Sequence, residues 1–389
     1  MINYSHFRLQ FIVFALVSTS FTNIYLTQPV LPILQSEFSA DIVLVSFSVS
    51  AVILGIIISN LFFGYLADKL PIHPIIFVGG VLVATSGFIC ALTNNLWVLI
   101  GARFLQGLFI PSLTTCLAAY LSKTLPVTRL SVVMGSYVSA TVLGGLGGRL
   151  LGGWIHPPFH WRYAFVSASV LTLIVTLIAV FGLPRISVNT RQQNESIGFI
   201  KLLKNWELLR IFLCATGSFA IFSAVFNYLP YRLAEPPLEL NTETTTMFYL
   251  VYVVGIFIGP SVGRVSNRFG IGNTLLGGSI VLGGALVLIL LPSIIAIVCG
   301  LLGICAGFFT IHTAAVGSLN QKLSSSQGRA NALYVLFYYI GGWLGITGSG
   351  FVYKHGGWSS LIFIAMSLLI IPVGTAIGEY KSSKHRTKI

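Results

Sequence analysis

Long apolar stretches of helical length alternate with short polar segments from one end of the 389-residue chain to the other. An α-helix needs about 20 apolar residues to cross the hydrocarbon core of a bilayer, and the stretches are too long and continuous for barrel strands. We therefore predict an all-α membrane protein with twelve transmembrane helices, at residues 9–31, 42–66, 75–93, 96–121, 130–154, 162–183, 208–231, 246–267, 273–291, 293–319, 330–353 and 358–378.

One polar stretch divides this pattern into two groups of six helices. It reads PRISVNTRQQNESIGFIKLLKNWE and covers residues 184–207. We predict an N-terminal six-helix bundle over 1–183, a cytoplasmic linker over 184–207 and a C-terminal six-helix bundle over 208–389. Within the linker, residues 197–206 form either an amphipathic surface helix or solvated chain.

The two halves repeat the same landmarks at a nearly constant offset. GYLADKLP at Gly64–Pro71 matches GRVSNRFG at Gly263–Gly270, and LQGLF at 105–109 matches CAGFF at 305–309. A six-helix unit duplicated in parallel orientation is an architecture of secondary transporters, whose substrate site lies near the membrane midplane between the repeats.

Composition and charge support a membrane location and set an orientation. Only 8% of the residues are charged, against about 25% in soluble domains, and the mean hydropathy is +0.90. With the N-terminus in the cytoplasm, seventeen of the 22 Lys and Arg fall in cytoplasmic segments, three fall outside, and Arg103 and Arg149 lie within spans. This asymmetry indicates that both termini are cytoplasmic. The net charge of +13 thus favours anionic headgroups on the cytoplasmic side as a partner, and not nucleic acid.

Motifs of enzymes are missing from the sequence. It has no Gly-x-x-x-x-Gly-Lys-Ser/Thr loop, no His/Cys/acid cluster with metal-ligand spacing and no nucleophile elbow. We predict a protein that is not an enzyme, needs no cofactor and holds no metal.

Two segments carry motifs of a known family. Gly64, Asp68 and Lys69 fit the signature Gly-x-x-x-Asp-Arg/Lys-x-Gly-basic-basic, although Pro-Ile-His replaces its end, and Arg103 and Gln106 fit a second signature within RFLQG. On these residues the chain resembles the major facilitator superfamily over essentially its whole length. The resemblance implies two pseudo-symmetric bundles (the major facilitator fold), alternating access, a gating latch at the first motif and a monomer.

The fifth predicted helix carries a further signature of that superfamily. Each glycine of the drug:proton antiporter signature has a counterpart here: Gly135, Gly144, Gly148, Gly152 and Gly153. Arg149 stands where the signature has proline. With segments 226–233, 307–312 and 334–342, this resembles bacterial inner-membrane efflux permeases of the YnfM type, described as exporters of drugs or of sugars such as arabinose. The resemblance implies export of a small organic molecule coupled to protons.

Gly144, Gly148 and Gly152 share one helix face, because they are spaced by four residues. Small residues allow close helix approach in lipid, so we expect this face to pack against a helix of the other half, either as a gating surface or as static packing. Arg149 has two interpretations. It contacts substrate in a cavity, or it closes an outer gate on Glu37 or Asp41.

Arg103 lies too deep in its span to reach the interface, so it must face protein or water. We expect it to reach Asn23, Gln28 or Gln106. By the resemblance it takes part in proton coupling or substrate contact, and the alternative is a structural hydrogen-bond hub.

None of the nine acids lies deep in a predicted span, although proton-driven carriers usually keep one there. His312 is the deep group that titrates near neutral pH, so it is our candidate proton carrier or substrate contact. A neutral, structurally satisfied histidine is the alternative, and Asp41 is a second candidate proton site.

Polar aromatic side chains complete the predicted pathway. Asn227, Tyr228 and Tyr231 cluster around a proline of the seventh span, and Tyr334 and Tyr338 share one face of the eleventh. Tyrosine offers a ring and a hydroxyl to amphipathic or sugar-like ligands, although it is also common at membrane interfaces.

Two other functions remain open. Two arginines within spans and no deep acid favour an anionic or sugar-like metabolite, moved by a porter without proton coupling. A membrane sensor that has kept the fold without transport is the alternative from another class.

Overall fold

The computed structural model describes residues 6–184, 198–323 and 327–386, and each regular element in these ranges is helical. The first part forms α1 His6–Tyr25, α2 Leu31–Glu37, α3 Ile42–Lys69, α4 Ile72–Leu92, α5 Leu96–Leu113, α6 Thr115–Thr124, α7 Val127–Ile155 and α8 Arg162–Gly182. The later part forms α9 Phe199–Lys204, α10 Trp206–Ala234, α11 Thr242–Met247, α12 Val254–Phe269, α13 Ile271–Leu288, α14 Ile294–Gln321, α15 Gln327–Leu368 and α16 Ile370–Arg386. Short 3-10 helices occupy Gln28–Val30 and Phe248–Val253.

Ten helical stretches in the described ranges are long and apolar enough to cross a membrane. The last of them, Gln327–Ser382, has 56 residues and contains Gly357, whose φ of 63° breaks the helical path in a conformation that glycine adopts freely. The glycine-rich α7 has 29 residues and is not among the ten. The chain is therefore an all-helical, multi-pass membrane protein.

Four of the predicted spans are not continuous α-helices; the twelfth is one of them, because α15 ends at Leu368 and α16 begins at Ile370. The first is interrupted after Tyr25, where Pro29 lies in a 3-10 turn, and the fourth breaks at Thr114, three residues beyond Pro111. Proline lacks an N–H and its ring collides with the preceding turn, so it disrupts the hydrogen-bond ladder. The eighth starts with the 3-10 helix Phe248–Val253. The prediction of unbroken helices is wrong at these points.

The described residues separate into two compact units by their internal contacts. Unit 1 takes the described residues of Met1–Thr190 and Asn241–Tyr249, and unit 2 takes those of Arg191–Leu240 and Leu250–Ile389. Residues 185–197 of the predicted linker lie outside the described ranges.

Each unit contains one dominant pairing between its opening helix and a glycine-rich helix. In unit 1, α1 packs mainly against α7, while α3 packs against α5 and α4 against α8. In unit 2, α10 packs mainly against α15, while α13 packs against α14 and α16. The pairs α1–α7 and α10–α15 come from equivalent positions of the sequence repeat, and the polar side chains described below lie on or beside them.

Candidate functional site

Arg103 lies inside unit 1 with none of its surface exposed. Its Nε donates to the carbonyl oxygen of Ser48 at 2.7 Å, and its Nη2 donates to that of Ile24 at 2.6 Å. Its Nη1 donates to the carbonyl oxygen of Asn23 at 2.6 Å and to Oε1 of Gln106 at 2.7 Å. The side chain therefore joins α5 to α1 and α3, and its partners include Asn23 and Gln106, two of the three residues expected from the sequence.

These bonds satisfy carbonyl groups at the interrupted end of α1. The last four C=O groups of a helix have no partner within the helix, and α1 ends at Tyr25, directly after Asn23 and Ile24. An unpaired buried carbonyl costs about 1–3 kcal/mol, and a cation is also favoured near a helix C-terminus. The guanidinium suits this position because it presents five donors in one planar fork.

Two buried amides extend the polar centre around Arg103. Asn23 Nδ2 donates to Oγ1 of Thr172 at 3.0 Å, which links α1 to α8. Gln106 Nε2 donates to the carbonyl oxygen of Val83 at 3.2 Å, which links α5 to α4. Among the described residues, no carboxylate bonds to Arg103, so its charge is balanced by neutral dipoles.

Arg149 is also buried in unit 1, with 3% of its surface exposed. Its Nε donates to Oε1 of Gln28 at 2.7 Å, and its Nη1 donates to the carbonyl oxygen of Gly145 at 2.8 Å. The guanidinium carbon lies 4.0 Å from the ring centre of Tyr25 and 5.5 Å from that of Tyr249. Gln28, which was expected near Arg103, is therefore a partner of Arg149.

The structure gives contacts for both acids suggested as gate partners of Arg149. Glu37 forms an ion pair with Arg162 at 2.7 Å and accepts a hydrogen bond from the indole of Trp161, so the prediction for Glu37 is wrong. Asp41 caps α3, because its Oδ1 accepts from the backbone N–H of Val43 at 2.8 Å. The sequence placed Glu37 in the right loop but could not show that Arg162 is its neighbour.

The glycine face of α7 packs against α1 of the same unit. A Cβ added to Gly148 would lie 2.2 Å from the carbonyl oxygen of Thr22, and Gly144 and Gly152 approach α1 equally closely. The hydroxyl of Thr22 donates back to the carbonyl oxygen of Gly144 at 3.2 Å. The expected partner, a helix of the other half, is therefore wrong, because residue spacing reveals a smooth face but not what covers it.

Unit 2 repeats this contact with different residues. A Cβ on Gly341 would lie 2.2 Å from the carbonyl oxygen of Thr216, and one on Gly345 would lie 2.4 Å from that of Ala220. The remaining glycines of the signatures differ from one another. Gly153 packs against Thr246, whereas a Cβ on Gly64 or Gly135 would meet open space.

The first family motif forms a surface ion pair that the sequence did not predict. Asp68 at the end of α3 pairs with Lys123 of α6 at 2.5 Å, and both side chains are exposed. The ammonium of Lys69 lies 4.5 Å from the ring centre of Tyr65. The motif thus ties α3 to α6 within unit 1.

In unit 2, His312 lies within a cluster of aromatic side chains. Its Nδ1 is 3.0 Å from the hydroxyl of Tyr334, and its ring lies 5.3 Å from that of Tyr338 and stacks on Phe308 at 5.9 Å. No described residue bonds to its Nε2. Tyr338 is stacked on Phe219 at 3.7 Å. The structure therefore brings together three residues that the sequence suggested separately.

The polar residues of α10 are buried inside unit 2. Asn227 and Tyr228 have no exposed surface, and Tyr231 has 6%. The hydroxyl of Tyr228 donates to the carbonyl oxygen of Ile346 at 2.9 Å, and its ring stacks on Tyr353 at 5.3 Å.

Sequence reasoning missed the burial of Glu379, which follows the last predicted span directly. Only 6% of this residue is exposed. Its Oε1 pairs with Arg210 at 2.5 Å and with Lys322 at 3.4 Å, and its Oε2 accepts from the hydroxyl of Ser318 at 2.7 Å. The acid therefore joins α16 to α10 and α14. The only sequence feature that could have indicated this burial was an acidic residue close to the end of a long apolar stretch.

This fold, with buried polar groups inside apolar helices, is that of a membrane transporter. The family model described as Major Facilitator Superfamily matches residues 13–345, and the chain belongs to this superfamily. It is therefore a transporter and not an enzyme.

Relatives and solved structures agree with this assignment. The chain is 27% identical to the inner membrane transport protein YnfM of Escherichia coli, over 95% of this chain and 90% of that protein. It is 26% identical to an uncharacterized transporter of Buchnera aphidicola, over 91% and 87% of the two chains. The structure of a bacterial homolog of the human lysosomal transporter Spinster, inward-facing and occupied, matches with a TM-score of 0.75 at 14% identity, over 99% and 98%.

Proposed function

We propose that this transporter exports a small organic molecule, a drug or a sugar-like compound, across the bacterial inner membrane by alternating access, coupled to inward proton flow. To the ten apolar stretches the proposal adds one membrane crossing for α7, and it counts Gln327–Ser382 as two crossings. The result is twelve transmembrane segments in two six-helix bundles, 1–183 and 208–389. The excess of Lys and Arg in alternate loops supports cytoplasmic termini and a cytoplasmic linker at 184–207. The protein acts as a monomer among anionic headgroups.

The polar and aromatic surroundings of His312 carry the proposal of proton coupling. Imidazole is the side chain that changes charge between pH 5 and 8. The hydroxyl of Tyr334 lies 3.0 Å from its Nδ1, and no described residue bonds to its Nε2, so we assign Nε2 to the proton or the substrate. Tyr338 provides a ring beside it. Asp41 is the less favoured site because its carboxylate already caps α3.

The other side chains have supporting roles in this proposal. Arg103 holds the end of α1 with Asn23 and Gln106, so it positions the pathway and does not contact substrate directly. Gln28 and Arg149 fix the turn that follows. In unit 2, Asn227, Tyr228 and Tyr231 support the aromatic cluster from α10. The residues proposed to act in gating and conformational change are Asp41, Gly64, Asp68, Lys69, Gly135, Gly144, Gly148, Arg149, Gly152 and Gly153.

The experiment uses purified protein in vesicles that contain a pH-sensitive dye. A pH gradient is imposed, and lipophilic cations, organic anions and sugars are added in turn. We expect one chemical class to trigger proton movement, and His312→Gln to flatten the pH dependence of that signal. His355→Gln is the matched control, because His355 is exposed and, among the described residues, bonds only to the carbonyl oxygen of Phe351. An unchanged pH profile in His312→Gln would remove this histidine from the mechanism.

One observation favours a second function, an uncoupled porter for anionic or sugar-like metabolites. Arg103 is fully buried without a carboxylate partner among the described residues, which makes the interior of unit 1 positive. Such a field attracts anions and repels cationic drugs. In the same vesicles this function would give isotopic counterflow of an organic anion without proton movement. Ligand binding without any flux would instead indicate a sensor.

A further inference from the structure

An apolar groove runs along the surface of unit 2 between α12 and α13. Its volume is about 630 Å³. Ile258, Val265 and Phe269 of α12 form one wall, and α14 contributes Ala306 and Thr310. On α13, Gly277 lies where a side chain would otherwise fill the space, since a Cβ there would meet nothing within 4 Å. Small residues therefore create the groove.

The interior of the groove is apolar and has the length of one lipid chain. Two polar residues on its lining bond back to the main chain. Asn273 Nδ2 donates to the carbonyl oxygen of Phe269 at 2.8 Å, and Thr274 Oγ1 donates to that of Gly270 at 2.9 Å. The wall formed by α12 extends over eleven residues from Ile258 to Phe269, which is about 16 Å along the helix axis at 1.5 Å per residue. This is about half of a 30 Å hydrocarbon core, which is one leaflet.

Two cations of α12 lie next to wall residues of this groove: Arg268 precedes Phe269 at its end, and Arg264 precedes Val265 one turn earlier. Arg264 and Arg268 lie one turn apart near the end of α12, and both are exposed. The guanidinium of Arg268 lies 5.3 Å from the ring centre of Phe269, which lines the groove and is 58% exposed. Neither arginine has a carboxylate partner among the described residues. Their charges are therefore available to an anion beside the groove.

We propose that this groove binds one anionic phospholipid. An acyl chain lies between α12 and α13, and the phosphate group lies against Arg264 and Arg268. Basic residues at the cytoplasmic end of transmembrane helices attract anionic headgroups, and these arginines fall among the cytoplasmic segments predicted from the charge pattern. The matching lengths of groove and leaflet explain why a lipid occupies this groove. This site is independent of the proposed transport substrate.

Native mass spectrometry of the detergent-solubilised full-length protein tests the proposal. Phosphatidylglycerol or phosphatidylcholine with identical chains is titrated in, and the affinity of the first bound lipid is measured. We expect phosphatidylglycerol to bind more tightly, and Arg268→Gln to weaken it about fivefold while phosphatidylcholine is unaffected. Added salt should reduce the preference in the same way.

Matched variants separate the two parts of the site. Gly277→Leu fills the groove and should weaken both lipids, whereas Gly284→Leu, on the same helix but outside the lining and also without a neighbour within 4 Å, should not. Lys201→Gln with Lys204→Gln controls for removal of exposed charge elsewhere. Equal affinity for the two lipids, or unchanged phosphatidylglycerol binding in both Arg268→Gln and Gly277→Leu, would overturn the proposal.

Discussion

The contact between α1 and α7 brings two helix backbones close together in unit 1, and Gly148→Ala tests it with a single methyl group. In the structure a Cβ at this position would lie 2.2 Å from the carbonyl oxygen of Thr22. Ordinary van der Waals contact begins at 3.4 Å, so the two helices must separate locally by 3.4 − 2.2 = 1.2 Å. The obstructing atom belongs to the backbone of α1 and cannot rotate away.

The expected cost follows from this geometry. Overpacking of a well-packed interior costs about 1–3 kcal/mol in unfolding free energy. The neighbouring substitution Gly147→Ala places its Cβ 3.7 Å from Oγ1 of Thr22, which is normal contact, and it also gains helix propensity. We therefore expect Gly148→Ala to be less stable than wild type and Gly147→Ala to be unchanged or slightly more stable.

Reversible unfolding in mixed micelles measures both variants under identical conditions, with transport in vesicles as a second readout. Gly341→Ala extends the test to unit 2, where the equivalent Cβ would lie 2.2 Å from the carbonyl oxygen of Thr216. If Gly147→Ala and Gly148→Ala lose the same stability, close packing of this face is not what the glycine provides, and the reasoning is refuted.

Three further predictions concern the polar groups. Arg103→Lys should lower both the free energy of unfolding and the transport rate, because a lysine ammonium has three donors and cannot make the four hydrogen bonds of the guanidinium. Unchanged stability and flux would contradict the role of Arg103 in holding the end of α1. Glu379→Gln should lower the free energy of unfolding by about 3 kcal/mol, because it removes the negative charge that pairs with the buried Arg210. Asp68→Asn removes one partner of an exposed ion pair and should cost less than about 1 kcal/mol. Equal losses would refute the conclusion that burial makes the Glu379 pair the stronger one. Tyr334→Phe removes the hydroxyl that contacts Nδ1 of His312, so the pH profile of transport should shift. The amount of protein in the membrane should not change. An unchanged pH profile would show that the contact between Tyr334 and His312 has no role in transport.

The helical fold class and several polar contacts could be predicted because they depend on local pattern. Apolar length identifies membrane helices, and the depth of Arg103 in its span required protein partners. Asn23 and Gln106 were correctly named: Gln106 lies one turn from Arg103 on the same helix, and Asn23 is a polar residue deep in the first predicted span. The breaks after Tyr25 and at Thr114 were missed, because hydropathy does not change where a proline disrupts the backbone.

Contacts between distant segments could not be read from the sequence in the same way. The spacing of Gly148 and its neighbours shows which face is smooth, but the identity of α1 as its partner depends on how the helices are arranged. Glu37 had several cationic candidates within reach, and only the fold selects Arg162. The burial of Glu379 depends on Arg210 and Lys322, which lie 169 and 57 residues away along the chain.

The comparison between the two units also bears on why unit 1 contains buried arginines. Gly144 and Gly148 correspond to Gly341 and Gly345 at an offset of 197, which pairs Arg149 with Ile346; at the offset of 200 that relates LQGLF to CAGFF, Arg103 corresponds to Gly303. Unit 2 therefore builds the same glycine-mediated helix pair without either arginine, and its α10 is continuous over Trp206–Ala234. Close packing does not require these charges.

What distinguishes unit 1 is the interruption of α1, and both arginines serve it. Arg103 binds the carbonyl groups of Asn23 and Ile24 just before the break, while Arg149 binds the side chain of Gln28 just after it. Free backbone groups inside a membrane must find partners within the protein, so a helix can stay broken at this depth only if such donors are present. Buried cations are costly in a membrane protein, and here both of them stabilise the irregular segment from Tyr25 to Gln28.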